Sequence, residues 1–161
     1  MIKVGILGAS GYTGVELIRL LLRHPEAEIV ALTSEKHAQE EVSHVFPSLR
    51  GWVNLSYQPL APTEIAQRCD LLLVALPHGT SMKVVPSLIQ SGKKVIDLSA
   101  DFRLRDPEVY QQWYGQPHTC PDLLEESVYG LPELNRSAIA SSFLVANPGC
   151  YPTGVILALA P

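Results

Sequence analysis

Three glycines spaced three apart, Gly8, Gly11 and Gly14, separate an apolar run from a segment of helical period, and this junction constrains the fold more than any other feature of the chain. Ile2 to Leu7 has the make-up of a buried parallel strand. From Thr13 to Arg23 the apolar residues Val15, Ile18, Leu21 and Leu22 recur at helical spacing until Pro25 closes the helix. A glycine turn between strand and helix is the setting of the dinucleotide fingerprint. One glycine permits the tight turn, one lets the backbone approach a pyrophosphate, and one lets the helix pack on the strand. The helix start adds free N–H groups and the positive end of a dipole. Ser10 and Thr13 contribute hydroxyl donors, with Tyr12 between them. The spacing is G-x-x-G-x-x-G rather than G-x-G-x-x-G, so the bare pattern also admits a ligand-free turn. Its place directly after the first strand favours a cofactor site.

Further strands are expected at Glu28–Leu32, Asp70–Leu76, Lys94–Leu98 and Phe143–Ala146. Helices are expected at Thr63–Arg68, at Thr80–Gln90 with Gly92 as its stop, and at Asp106–Trp113. The last has Asp106 as N-cap and Pro107 at the first position. Pro86 argues against an unbroken second helix, because an interior proline kinks or breaks one. Thr33–Pro62, with its aromatic residues Phe46, Trp52 and Tyr57, reads as a long loop or insertion, and the stretch before Phe143 as a proline-rich connection. Alternating strands and helices specify an α/β fold, Rossmann-like, with a mainly parallel sheet. Residues 1–150 form the expected dinucleotide-binding domain and 151–161 the start of another. The final helical pattern is still apolar at Val155-Ile156-Leu157-Ala158-Leu159, which suggests a piece of a longer protein.

The end of the second strand bears on the cofactor. An NAD site usually has an acid about 20 residues beyond the glycines to bind the ribose hydroxyls. Here the strand runs into Thr33-Ser34-Glu35-Lys36. Thr33, Ser34 and Lys36 suit the 2′-phosphate of NADP, whereas Glu35 alone would fit NAD. The expectation is NADP.

Cys150 follows a strand and the turn Asn147-Pro148-Gly149, at the start of the helix opened by Pro152. A helix N-terminus stabilises a thiolate, and nearby N–H groups can hold an oxyanion. A buried structural cysteine is the commoner fate of the residue type, so position alone leaves both readings open. Cys69 and Cys120 lie in a strand approach and a proline-rich loop. Three dispersed cysteines argue against a disulfide framework or a zinc cluster, so no metal is expected, and they suit a reducing cytoplasm.

A composition of 47% hydrophobic and 17% charged residues is that of a globular domain. The net charge of −4, with no extended basic run, gives no reason to expect a nucleic-acid partner. No apolar stretch approaches the roughly 20 residues of a bilayer span. Met1 leads straight into the first strand, so no signal or transit peptide is expected.

Taken together, Gly8-Ala9-Ser10-Gly11-Tyr12-Thr13-Gly14, Leu76-Pro77-His78-Gly79, Asp97-Leu98-Ser99-Ala100-Asp101-Phe102-Arg103, Tyr129-Gly130-Leu131-Pro132-Glu133 and Asn147-Pro148-Gly149-Cys150-Tyr151-Pro152-Thr153 resemble the N-acetyl-gamma-glutamyl-phosphate reductase family. That family is the arginine-pathway member of the aspartate-semialdehyde dehydrogenase-like group. The resemblance implies NADPH-dependent reduction of N-acetyl-glutamyl 5-phosphate, with Cys150 as nucleophile and a thioester intermediate. It also implies a homo-oligomer in the full-length protein. Asn147 and Gly149 are then candidates to hold the oxyanion, Arg103 or Arg105 to clamp phosphate or substrate carboxylate, and His78 to line the cofactor cleft. A surface role for Arg103 and a loop-capping role for His78 are the alternatives. The family's general acid/base histidine lies beyond residue 161, and none of His24, His37, His44, His78 and His118 matches its motif. Reduction of another acyl phosphate such as aspartyl phosphate, or NADP binding without catalysis, are the competing functions.

Overall fold

The computed structural model describes residues 1–160. Six strands form one sheet in the order β2-β1-β3-β4-β6-β5, and every neighbouring pair is parallel. They are β1 (Ile2–Leu7), β2 (Ala27–Leu32), β3 (Leu71–Val74), β4 (Lys94–Asp97), β5 (Val128–Tyr129) and β6 (Leu144–Ala146). The helices are α1 (Tyr12–Leu21), α2 (Val42–Val45), α3 (Pro62–Arg68), α4 (Ser81–Gln90), α5 (Pro107–Tyr114), α6 (Asp122–Glu126), α7 (Pro132–Ser141) and α8 (Cys150–Leu159). The chain reverses direction across the sheet between β1 and β3, and at such a switch point the carboxyl ends of the strands open a crevice.

Strand alternation explains why both faces are covered. Successive side chains point to opposite sides, so Val4 and Ile6 of β1, Leu32 of β2 and Leu73 of β3 enter one core with Ile18 of α1. Leu7, Ala31, Leu72 and Val74 enter the other core, beneath Ile65 of α3 and Val85 and Leu88 of α4. A parallel sheet buried on two faces needs such near-continuous apolar strands.

Two irregular stretches differ from expectation. Thr33–Pro62 is no hanging loop: Val42, Leu49, Val53 and Tyr57 are buried in the first core, and parallel pairing of Thr33 with Gln58 extends the sheet past β2. Its apolar residues are too far apart for any single period, so only the tertiary contacts reveal their partner. The proline-rich connection likewise contains α6, β5 and α7. Asp106 does cap α5, its Oδ1 accepting from Glu108 N and Val109 N at 2.8 and 3.3 Å.

Helix α4 runs through Pro86 without interruption. A proline cannot donate to the carbonyl four residues back, which here is Met82 O. That oxygen instead accepts from Cys120 Sγ at 3.3 Å and from Thr119 Oγ1 at 3.5 Å. Helix α8 buries none of its residues, and Tyr151, Val155 and Leu159 are widely exposed. Among the described residues no helix is long and apolar enough to cross a membrane.

Candidate functional site

Parallel strands bring four loops to one edge of the sheet, each following a carboxyl end. They are Gly8–Gly11 after β1, Ala75–Thr80 after β3, Leu98–Arg103 after β4 and Asn147–Gly149 after β6. These loops carry four of the five segments singled out above, all but Tyr129–Glu133, so residues far apart in the chain become neighbours.

The glycine loop is built by contact. Gly8 has φ +83°, and a Cβ there would lie 2.5 Å from Ala75 O, so the β1 and β3 turns touch. A Cβ on Gly14 would lie 2.5 Å from the backbone of Ala9, which seats α1 directly on the loop. Gly11 differs: the space a Cβ would take has nothing nearer than Gly8 O at 3.9 Å. The first turn of α1 has neither a side-chain cap nor an acidic residue. Open space over unpaired N–H groups at a helix start is a cradle for an anion, so these residues fit a dinucleotide pyrophosphate.

Around this loop the hydroxyls expected to meet the cofactor are partly committed to structure. Thr33 is fully buried, and its Oγ1 accepts from Gly8 N at 3.1 Å. Ser34 Oγ lies 2.7 Å from Ser10 Oγ and accepts from His37 N at 3.1 Å. Glu35 Oε1 accepts from Leu60 N at 2.8 Å, while Lys36 is exposed. Tyr12 and Thr13 are exposed at the start of α1. His78 is exposed on the β3 turn, its ring centroid 5.7 Å from that of Tyr114.

At the other side of the edge, Cys150 is exposed as the first residue of α8, with Gly149 as N-cap. Thr153 closes the turn by donating N–H and Oγ1 to Gly149 O at 3.0 and 2.9 Å. Asn147 N donates to Asp97 O at 2.8 Å, and its Nδ2 to Pro148 O at 3.1 Å. Arg103 donates from Nε to Asn147 O at 2.8 Å and from Nη2 to Leu98 O at 2.9 Å. Its Nη1 would be 3.2 Å from a Cβ on Gly149. The guanidinium thus sits at the base of the cysteine turn, whereas Arg105 is exposed.

Sequence reasoning missed the acids of Asp97–Arg103. Asp101 is fully buried and accepts from Gly79 N at 2.8 and 2.9 Å, Met82 N at 2.9 Å and Tyr110 OH at 2.8 Å. It caps α4 from a distance, since Thr80 makes no side-chain cap. Asp97 is also fully buried; Ser99 Oγ donates to its Oδ2 at 2.6 Å, while among the described residues Oδ1 and the nearby Ser81 Oγ make no hydrogen bond of good geometry. Burial pushes its carboxyl up to about 6, with the nearby Ser99 and Ser81 hydroxyls opposing the shift. The available signal was charge in an otherwise apolar strand end.

The family model for "Semialdehyde dehydrogenase, NAD binding domain" matches residues 3–142. The chain belongs to the family of semialdehyde dehydrogenase NAD-binding domains. Over all 161 residues it is 53% identical to an N-acetyl-gamma-glutamyl-phosphate reductase of Nitrosococcus oceani and 56% identical to one of Citrifermentans bemidjiense. It spans only 47% and 46% of those relatives, about half their length. The fold matches that of aspartate semialdehyde dehydrogenase from Candida albicans, a structure with NADP, at TM-score 0.74 and 19% identity. That match covers 97% of this chain and 45% of the other. Membership of the family agrees with the parallel sheet and with the glycine loop at its edge.

Proposed function

We propose that this chain is the cofactor-binding half of an NADPH-dependent reductase that converts N-acetyl-glutamyl 5-phosphate to the 5-semialdehyde and phosphate, a reaction of arginine biosynthesis. The observation that carries the reading is the exposed Cys150 on the same sheet edge as the uncapped start of α1. The identity to reductases of that name over the whole chain supports the substrate.

Gly8, Gly11 and Gly14 with the N–H groups of α1 hold the pyrophosphate. Ser34 and Lys36 hold the 2′-phosphate, with Ser10 and Thr33 keeping the loop in place. Engagement of Glu35 by Leu60 N supports NADP over NAD. Tyr12, Thr13 and His78 line the crevice. When bound, NADPH supplies the hydride.

The Cys150 thiolate attacks the acyl carbonyl carbon; the C–S bond forms, the C–O bond to phosphate breaks, and inorganic phosphate leaves. Donors at Asn147 and Gly149 hold the oxyanion during addition. Cys150 would hold the acyl group as a thioester to which bound NADPH would supply a hydride, and the same donors would hold the resulting oxyanion until the C–S bond breaks, its electrons return to sulfur and the semialdehyde leaves. Arg103 Nη1, beside Gly149, adds positive charge where the phosphate departs. The general acid/base is assigned to the region beyond residue 161. Residues 151–161 are read as the start of a second domain that covers the exposed apolar side chains of α8, and the whole protein as a homo-oligomer of the cytoplasm.

The test is mass spectrometry of full-length protein incubated briefly with N-acetyl-glutamyl phosphate and no NADPH. The expected result is an N-acetyl-glutamyl adduct on Cys150 that disappears when NADPH is added. Absence of the adduct while NADPH still binds overturns the covalent mechanism. An adduct formed only with aspartyl phosphate reassigns the substrate.

A further inference from the structure

A row of rings leads from the protein interior to the β3 turn. Tyr110 is fully buried, and its OH donates to Asp101 Oδ1 at 2.8 Å. The ring of His118 stands edge-on to it at 5.1 Å, and Tyr114 stacks on it at 4.8 Å with 22° between the planes. From Tyr114 the row continues to His78, 5.7 Å away at 54°, and ends there in solvent. The backbone beside His78 is fixed as well. Asp101 accepts from Gly79 N at 2.8 Å, and the Gln116 side chain fills the space next to Gly79. The imidazole is held in place yet faces water, so the stack is incomplete at this end.

Its location suits a cofactor ring. The β3 turn touches the glycine loop, since Ala75 O and Leu76 Cδ2 crowd the space beside Gly8. Neighbouring strands lie about 4.8 Å apart. His78 therefore stands one strand from the pyrophosphate cradle, on the side toward β6 and the Cys150 turn. We infer that His78 and Tyr114 form a stacking platform for a heteroaromatic ring of the bound dinucleotide, His78 touching the ring and Tyr114 acting behind it as a positioning residue. The inference rests on the reductase reading above and deepens it. A dinucleotide carries a flat ring on either side of its pyrophosphate, adenine and nicotinamide, and each offers a π face for an imidazole to cover. Stacking asks only for a flat partner, so a phenyl ring at position 78 serves and a branched aliphatic side chain does not. Loss of the Tyr114 ring frees the His78 side chain, whose ordering on binding then counts against affinity.

The experiment uses full-length protein as wild type, His78→Phe, His78→Leu, Tyr114→Phe and Tyr114→Leu. Each is read for NADPH affinity, affinity for adenosine 2′,5′-bisphosphate, and melting midpoint. His78→Leu is expected to weaken NADPH about tenfold and leave the melting midpoint unchanged, because the side chain is exposed. His78→Phe stays within about threefold of wild type. Tyr114→Leu weakens NADPH by about threefold or more, and Tyr114→Phe restores it. The bisphosphate has adenine but no nicotinamide. A parallel fall in its affinity in His78→Leu assigns the platform to adenine, and an unchanged affinity assigns it to nicotinamide.

Equal NADPH affinity in wild type and His78→Leu overturns the inference, as does equal loss in His78→Leu and His78→Phe. A loss in Tyr114→Leu that Tyr114→Phe does not restore gives the role to the tyrosine hydroxyl and overturns the positioning part. In each of these cases wild-type protein still binds NADPH, so the reductase reading stands. Wild-type protein that binds neither compound defeats the cofactor reading and the platform together.

Discussion

Pro86 and Cys120 are joined through a single atom, the carbonyl oxygen of Met82, which the proline leaves free in mid-helix and the cysteine sulfur reaches at 3.3 Å. The relationship predicts a coupling measurable by a double-mutant cycle. Cys120→Ala costs about 1 kcal/mol in the wild-type background, where Met82 O is left with only the 3.5 Å Thr119 contact. In a Pro86→Ala background the helix N–H returns, and the same substitution costs clearly less. Urea unfolding of the four proteins checks this; equal costs in both backgrounds would remove the link.

The three thiols differ in environment and so in reactivity. Cys150 is exposed, Cys69 is buried and its thiol pushed up by desolvation, and burial pushes Cys120 up to about 11. Iodoacetamide at pH 8 is expected to label Cys150 first, with Cys69 and Cys120 labelled only as the protein unfolds. Peptide mass mapping over a time course reads the order, and early labelling at Cys120 contradicts it.

Asp97 gives stability a pH dependence of known sign. Its folded value of about 6 lies above the ordinary carboxyl value of 3.8, so between about pH 4 and 6 the folded protein holds a proton that the unfolded chain has lost. The contribution is greatest below about pH 4, declines as pH rises to about 6, and is then absent, a total on the order of 3 kcal/mol. Asp97→Asn removes the charge while its carbonyl still accepts from Ser99. The variant is expected to exceed wild-type stability at pH 8, with the gap narrowing toward pH 5. Denaturant titrations at the two pH values measure it, and a variant weaker at both would refute the argument.

Two glycines of the first loop separate folding from binding. Gly14→Ala forces a methyl group against the Ala9 backbone and is expected to cost about 1–3 kcal/mol. Gly11→Ala has open space and an ordinary φ of −82°, so it folds within about 1 kcal/mol of wild type. Its methyl stands where the pyrophosphate belongs, and NADPH affinity falls on the order of tenfold. Calorimetry and fluorescence titration of both variants decide the matter; a Gly11 variant that binds as wild type would move the phosphate elsewhere.

Local chemistry made much of this molecule legible in one dimension. The strand bounds at Ile2–Leu7, the Asp106 cap and the approximate start of the Cys150 helix follow from period, capping chemistry and punctuation, all of which act within a few residues. The parallel sheet followed from alternation, and the segments that resemble a known family fell at its carboxyl edge. What stayed hidden was set by distant partners. Val42, Leu49 and Tyr57 look like loop residues until the sheet face above β1 and β2 claims them. Asp101 looks like a surface acid until the start of α4, some twenty residues earlier, supplies its donors. Arg103 looks like a free cation until Asn147 O, 44 residues later, takes its Nε. The sequence by itself determined which elements display the glycine loop and Cys150, because strand, turn and helix starts depend on neighbours along the chain. Only the tertiary structure decided how the loops at the sheet edge are tied to one another, Asp101 to the β3 turn and Arg103 to the Asn147 turn. Those contacts are hydrogen bonds between segments that meet only after the sheet has formed.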